Sequence, residues 1–169
     1  TTSKVISTFL TWMQEKKSTV FVVGTANNHS AIPAEFMRAG RFDEVFFVDL
    51  PFVNEREEII KILLRRAGRD ASKFDSESIA SVSDGYSGAE LEKAIDVALL
   101  DVFQESNGES DIETKHIIRA LGSFKPLSLL RESDFAVIRE WAKINCRLAN
   151  VEVIAKKNKV KKVDLDIGV

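Results

Sequence analysis

An asparagine, two arginines and a glycine–alanine pair are the residues of this chain whose types and spacing can do chemistry. Asn27 follows the run TVFVVGT and stands just past the C-terminal end of a strand-like segment, the edge where open α/β sheets place ligands. Its neutral amide is both donor and acceptor, so it can bridge a water and a phosphate oxygen without adding charge. Arg38 and Arg41 flank Ala39-Gly40. A guanidinium is a planar, permanently charged fork that offsets negative charge building on a phosphoryl group. Gly88 and Ala89 open a capped helix, where small side chains let another molecule approach the backbone. Each feature also has a plainer reading. Asn27 can simply turn a loop, the arginines can pair with Asp43 or Glu44 at little gain, and the Gly-Ala pair can be ordinary capping sequence.

The elements that would position these residues follow from periodicity. Ile6, Phe9, Leu10 and Met13 recur at spacings of three and four, which predicts an amphipathic helix over 3–15. Residues 19–25 are a continuous run of β-branched and aromatic residues, the pattern of a strand covered on both faces in a parallel sheet. A short helix is predicted over 33–38, with proline in its first turn, and a second strand, VFFVDL, over 45–50. From Asn54 onward the pattern is helical only. Asn54 with Glu57 predicts a capping box for a helix to Arg66. Further helices are predicted over 76–82, from a Ser87/Glu90 capping box to about 105, over 112–121 and over 133–149. The last carries Phe135, Ile138, Trp141, Ala142 and Cys146 as its apolar stripe. Two strands are too few for a stable sheet, so the expectation is that part of the fold lies outside this sequence.

Bulk composition narrows the classes. With 44% apolar and 30% charged residues and a net charge of −2, the chain reads as a soluble globular protein with no global attraction for nucleic acid. No apolar run reaches the roughly 18 residues that span a membrane. The single cysteine, Cys146, excludes an intrachain disulfide framework and fits a reducing compartment, cytosolic or stromal. His29 and His116 have no Cys or carboxylate at ligand spacing, so no metal site is expected from them. The lysine cluster within 156–162 could contact nucleic acid or an acidic partner, against the plainer reading of a solvated tail.

The ordered strings VFVVGTANN, IPAEFMRAGRFDEVFFVDLP and GYSGAELEKAIDVALL resemble the second half of an AAA+ ATPase module over about the first 124 residues. TFLTWMQEKKSTVFVVGTANN, KPLS and EWAKINCRLAN are similar, more narrowly, to a little-characterised AAA family of cyanobacteria and plastids. The resemblance implies an α/β fold: the C-terminal part of a P-loop NTPase parallel sheet with helices (1–51), then a small helical lid (52–124), then a C-terminal helix and lysine-rich tail (125–169). It implies that Asn27 is sensor 1, that Arg38 and Arg41 are arginine fingers for a neighbouring subunit, and that Gly88 and Ala89 lie beside the adenine. Two departures stand out. Leu63 occupies a position where many relatives carry a histidine near the base, and Ala89 replaces a lid arginine.

No Gly-x-x-x-x-Gly-Lys-Ser/Thr loop and no apolar strand ending in Asp-Glu occurs in the chain. The resemblance places both, with the phosphate and Mg²⁺ ligands, upstream of Thr1. This polypeptide alone is therefore not expected to hydrolyse ATP. The resemblance implies a parent that is a ring-forming homo-oligomer, with a hexamer as the family's form, that uses ATP and Mg²⁺ to remodel a macromolecular partner. The competing class is a non-catalytic AAA-like module that oligomerises or docks a partner, and the residues upstream of Thr1 discriminate between them.

Overall fold

The computed structural model describes residues 2–27, 32–37 and 41–150. It starts with helix α1 (Thr2–Glu15), passes through a 3₁₀ turn (Ala34–Met37) and reaches the two-residue strand β1 (Phe46–Phe47). Four helices follow: α2 (Val53–Arg66), α3 (Ser76–Val82), α4 (Gly88–Ser106) and α5 (Thr114–Gly122). The described chain ends with α6 (Leu127–Leu130), α7 (Glu132–Asn145) and strand β2 (Arg147–Leu148). No described helix is long and apolar enough to cross a membrane.

Helices α2 to α5 build one core. Ile60, Leu64, Ile79, Leu91, Ile95 and Ile117 are each almost wholly buried, joined by Leu63, Ala94, Ala98, Val102 and Leu121. These positions recur at three and four along α2 and α4, so one stripe of each helix faces inward. α2 packs on α3 and α4, and α5 closes the other side against α3 and α4. Burying each large aliphatic side chain stabilises the bundle by about 1.5–3 kcal/mol relative to leaving it in water.

Local signals set the helix ends. Ser87 is the N-cap of α4: its Oγ accepts from the Glu90 N–H, and the Glu90 carboxylate accepts from the Ser87 N–H at 2.8 Å. This is the predicted capping box. α4 stops where Asn107 and Gly108 turn left-handed, at φ of 51° and 84°. The start of α2 differs from expectation. The helix begins directly after Pro51-Phe52, so Asn54 already lies inside its first turn; Glu55, not Glu57, reaches back to the Phe52 N–H at 2.8 Å. Glu57 instead pairs with Lys61 at 2.7 Å. His116 has a local task too, its Nδ1 accepting from the Glu113 N–H at the start of α5.

The strand expectations are only partly met. Residues 19–25 form no strand, and Phe21 is 93% and Val23 74% exposed. A strand of that type is held by neighbours on both edges, and none of the described residues supplies one. β1 occupies the middle of the predicted 45–50 segment. Its partner is β2, in parallel register with Phe46 opposite Arg147 and Phe47 opposite Leu148. β2 lies in sequence predicted as helix. α7 ends at Asn145 because the Arg147 and Ala149 N–H groups are taken by the Val45 and Phe47 carbonyls, at 2.8 and 2.9 Å. Of the predicted stripe on α7, only Ala142 is fully buried.

Candidate functional site

Gly88 and Ala89 are the first two residues of α4. Gly88 is partly accessible and Ala89 exposed. A Cβ on Gly88 would meet only Ile59 Cγ2, at an ordinary 3.9 Å, so internal packing does not require glycine there. Ile59 is half-buried against the bundle core and forms the apolar floor next to Gly88, whereas Leu63 is turned into the core itself. The apolar surface beside the Gly-Ala pair is therefore Ile59, not Leu63.

The electrostatics of this helix start are set by Glu90. Burial opposes its charge, but hydrogen bonds from the Ser87 hydroxyl, the Ser87 N–H and the Leu127 N–H outweigh that and hold its carboxyl below the usual value. A carboxylate already sits on the positive end of the helix dipole. The surface beside Gly88 consequently suits a neutral, apolar ring rather than a phosphate.

Asn27 and Arg41 are reached through an aromatic ladder. Phe9 of α1 stacks on Trp12 at 5.7 Å and approaches Phe36 at 6.4 Å, and Phe36 meets Phe42 at 5.7 Å. Gly24 closes on the same ring, a Cβ there lying 3.8 Å from Phe42 Cζ. The segment leading to Asn27 and the residue next to Arg41 thus pack on one cluster. Asn27 is exposed. Arg41 Nη1 donates to the Glu35 carbonyl at 2.8 Å, a backbone acceptor rather than the Asp43 or Glu44 carboxylates. Arg38, Gly40, Asn28 and His29 lie outside the described residues, as does the lysine cluster of 156–162. No described contact joins Gly88 or Ala89 to Asn27 or Arg41.

Arg56 is a functional candidate that pattern reading passed over. The residue is 4% exposed; its Nε donates to the Ala80 carbonyl at 3.1 Å and its Nη1 to the Pro51 carbonyl at 2.9 Å, with Asp84 at 3.2 Å. It ties the chain entering α2 to the end of α3. The signal was present in the sequence, since Arg56 is a charged residue on the same stripe as Ile60, Leu63 and Leu64, and such a residue needs buried partners. Tyr86 plays a similar role, its hydroxyl lying 2.7 Å from both the Leu121 and Phe124 carbonyls. Burial, with help from Glu90, pushes its phenol pKa up. Burial likewise raises the Cys146 thiol, which suits packing better than nucleophilic work.

An α/β segment leading into a closed four-helix unit, with a small-residue helix start on the second half, is the frame of an AAA-type ATPase. Residues 1–50 match the family described as "ATPase family associated with various cellular activities (AAA)". The chain is 40% identical over 143 residues to the "Uncharacterized AAA domain-containing protein ycf46" of Gracilaria tenuistipitata var. liui, and 41% identical over 143 residues to that of Guillardia theta. Each alignment covers 84% of this chain and 28% of the relative. It is also 30% identical over 125 residues to "Cell division control protein 48 homolog C" of Arabidopsis thaliana, covering 66% of this chain and 15% of that protein. The chain belongs to the AAA ATPase family, and its similarity within that family runs to the ycf46 type. It spans just over a quarter of the length of the ycf46 relatives (28%). The fold accordingly is the α/β C-terminal part of an AAA module followed by its helical unit.

The family implies a nucleotide and usually Mg²⁺. The Gly88 start, with room for a Cβ and an apolar floor at Ile59, fits the base of a nucleotide. Among the described residues no three His, Cys, Asp or Glu side chains converge as a metal-binding group.

Proposed function

We propose that this chain supplies the sensing and trans-acting half of an ATPase site, in a protein that couples ATP binding and hydrolysis to remodelling of a macromolecular partner. Asn27 orients the attacking water through its donor and acceptor. Arg38 and Arg41 reach the γ-phosphate bound by a neighbouring subunit, which makes a ring-shaped homo-oligomer part of the proposal. Gly88, Ala89 and Ile59 receive the adenine, and the unit 52–124 acts as the lid. We place the protein in the cytoplasm or plastid stroma. The observation that carries this reading is the aromatic cluster of Phe9, Phe36 and Phe42, where Gly24, three residues before Asn27, lies beside the ring of Phe42, the residue next to Arg41.

The test is turnover by the full-length protein carrying Arg41→Ala. An arginine acting on the transferred phosphoryl group is worth about 10³- to 10⁵-fold in rate, or roughly 4–7 kcal/mol. Hydrolysis should fall by that order while oligomer size, followed by light scattering, is kept. Unchanged hydrolysis with an intact oligomer removes the finger assignment. A full-length wild-type protein that oligomerises but never turns over ATP supports instead the non-catalytic docking module.

A further inference from the structure

The segment after the helical unit makes contacts at two places that matter for movement. Residues 49–52 lie in the short connection from β1 to α2, the first covalent link from the α/β segment into the bundle. Short connections of this kind absorb the φ/ψ changes of domain motion. Here their polar backbone groups are held by side chains. Asn150 Nδ2 donates to the Leu50 carbonyl at 3.0 Å, and Asn150 Oδ1 accepts from the Asp49 N–H at 3.3 Å. The Leu50 N–H is bound by the Asp49 carboxylate at 2.7 Å, the Pro51 carbonyl by Arg56 at 2.9 Å and the Phe52 N–H by Glu55 at 2.8 Å. Asn150 Nδ2 also lies 3.4 Å from that Glu55 carboxylate, so one side chain touches the connection and the first turn of α2 together.

Arg139 of α7 reinforces the same place. Nε and Nη2 donate to the two Asp49 oxygens at 2.8 and 2.9 Å, a two-bond fork that holds the guanidinium above its ordinary pKa. β2 adds its ladder bonds to β1 one step earlier. The other end of the segment is anchored on the loop that opens α4. Ser128 Oγ donates to the Gly85 carbonyl at 2.7 Å, and the Leu127 N–H donates to Glu90 Oε1 at 2.7 Å. Gly85 has a φ of 79°, and a Cβ there would come within 2.8 Å of Ser128 Oγ, so the close fit requires glycine.

We infer that residues 127–150 are a clasp that bridges the 49–52 connection, with one foot on Asp49–Leu50 through Arg139 and Asn150 and the other on Gly85 and Glu90 beside Gly88. The bundle cannot rotate about 49–52 without opening one foot. The clasp therefore sets the resting orientation of the bundle and resists its movement. Its role in turnover rests on the proposal that the bundle is a nucleotide-driven lid; its mechanical role does not.

The experiment separates the two. In the full-length protein with Cys146→Ser, spin labels at Lys17→Cys on the α/β side and Gln104→Cys on α4 report their mutual distance by pulsed electron resonance without nucleotide. The clasp predicts one narrow distance distribution, which broadens or shifts when Arg139→Ala and Asn150→Ala are combined. The charge exchange Asp49→Arg with Arg139→Asp should restore the narrow distribution that either exchange alone loses. This also guards against a double variant that fails to fold. In turnover assays the double variant should shift the KM for ATP by about fivefold or more while kcat changes less, the size of an ordinary coupling between sites. An unaltered distance distribution in the folded double variant overturns the clasp. A broadened distribution in a protein with no ATPase activity keeps the clasp and removes the lid reading instead.

Discussion

The bundle of α2–α5 and the segment before it bury their apolar residues to very different degrees. Within the bundle, Leu64, Ile79 and Ala94 have no accessible surface. In the N-terminal segment, Phe21, Val23 and Val48 are 93%, 74% and 75% exposed, although the sequence is as apolar there. A helix satisfies its backbone within itself and needs only a neighbour for one face. A strand needs hydrogen-bond partners on its edges before its side chains can be buried. The bundle has what its elements require; the run of 19–25 has no strand paired to its edges among the described residues.

The comparison predicts a large asymmetry in mutational cost. Leu64→Ala should destabilise the bundle by about 2–5 kcal/mol, read as a shift in the denaturation midpoint of this chain. Phe21→Ala should stay within about 0.5 kcal/mol, as expected of an exposed residue. Equal costs would mean that the 19–25 run is packed in solution.

The next effect belongs to the buried guanidinium joining the two regions. Arg56→Met keeps the volume but leaves the Ala80 and Pro51 carbonyls without their donor. A loss of about 1–3 kcal/mol is expected, with faster amide exchange at the end of α3 in hydrogen-exchange measurements.

Gly88→Ala should act in opposite directions on the two properties. Bundle stability should rise by up to about 1 kcal/mol, because alanine restricts the unfolded chain and meets no clash. Nucleotide affinity of the full-length protein, followed by titration with a fluorescent ATP analogue, should fall. Unchanged affinity would separate Gly88 from the nucleotide.

The smallest effect is on pH. Glu90, Asp70 and Asp75 are each held below their ordinary pKa: Glu90 against the opposing effect of burial, and the aspartates chiefly by the Ser72 and Ser78 hydroxyls. The folded bundle binds these protons more weakly than the unfolded chain. Their stabilisation is thus complete above the unfolded values of about 4 and lost as pH falls through the lower folded values. An acid titration followed by circular dichroism should show helix loss beginning below that range, and earlier in Glu90→Gln.

Much of the bundle was legible in advance because its signals are local. The 3.6-residue stripe, the Ser87–Glu90 box and the Asn107-Gly108 stop fix α4 from its own residues. Where two local signals competed, as with Asn54/Glu57 against Phe52/Glu55, the position of Pro51 decided and the pattern alone misjudged it. Of the candidate site, residue types pointed to Asn27, Arg41 and Gly88, but Ile59 was not visible as the floor beside Gly88. That neighbour comes from the packing of α2 on α4, which no spacing within either helix states.

The sequence by itself determined the helices of the bundle and the Ser87–Glu90 cap of α4, since each helix closes its hydrogen bonds within a few residues. It also carried the ordered motifs that mark an AAA-type chain. Only the tertiary structure decided which extended segments pair, because β1 finds its partner a hundred residues away in Arg147–Leu148, in sequence that reads as helix. Tertiary structure also placed Asn150 and Arg139 on Asp49 and Leu50. Such contacts join residues that share no local pattern, and their energy exists only once the chain has brought them together.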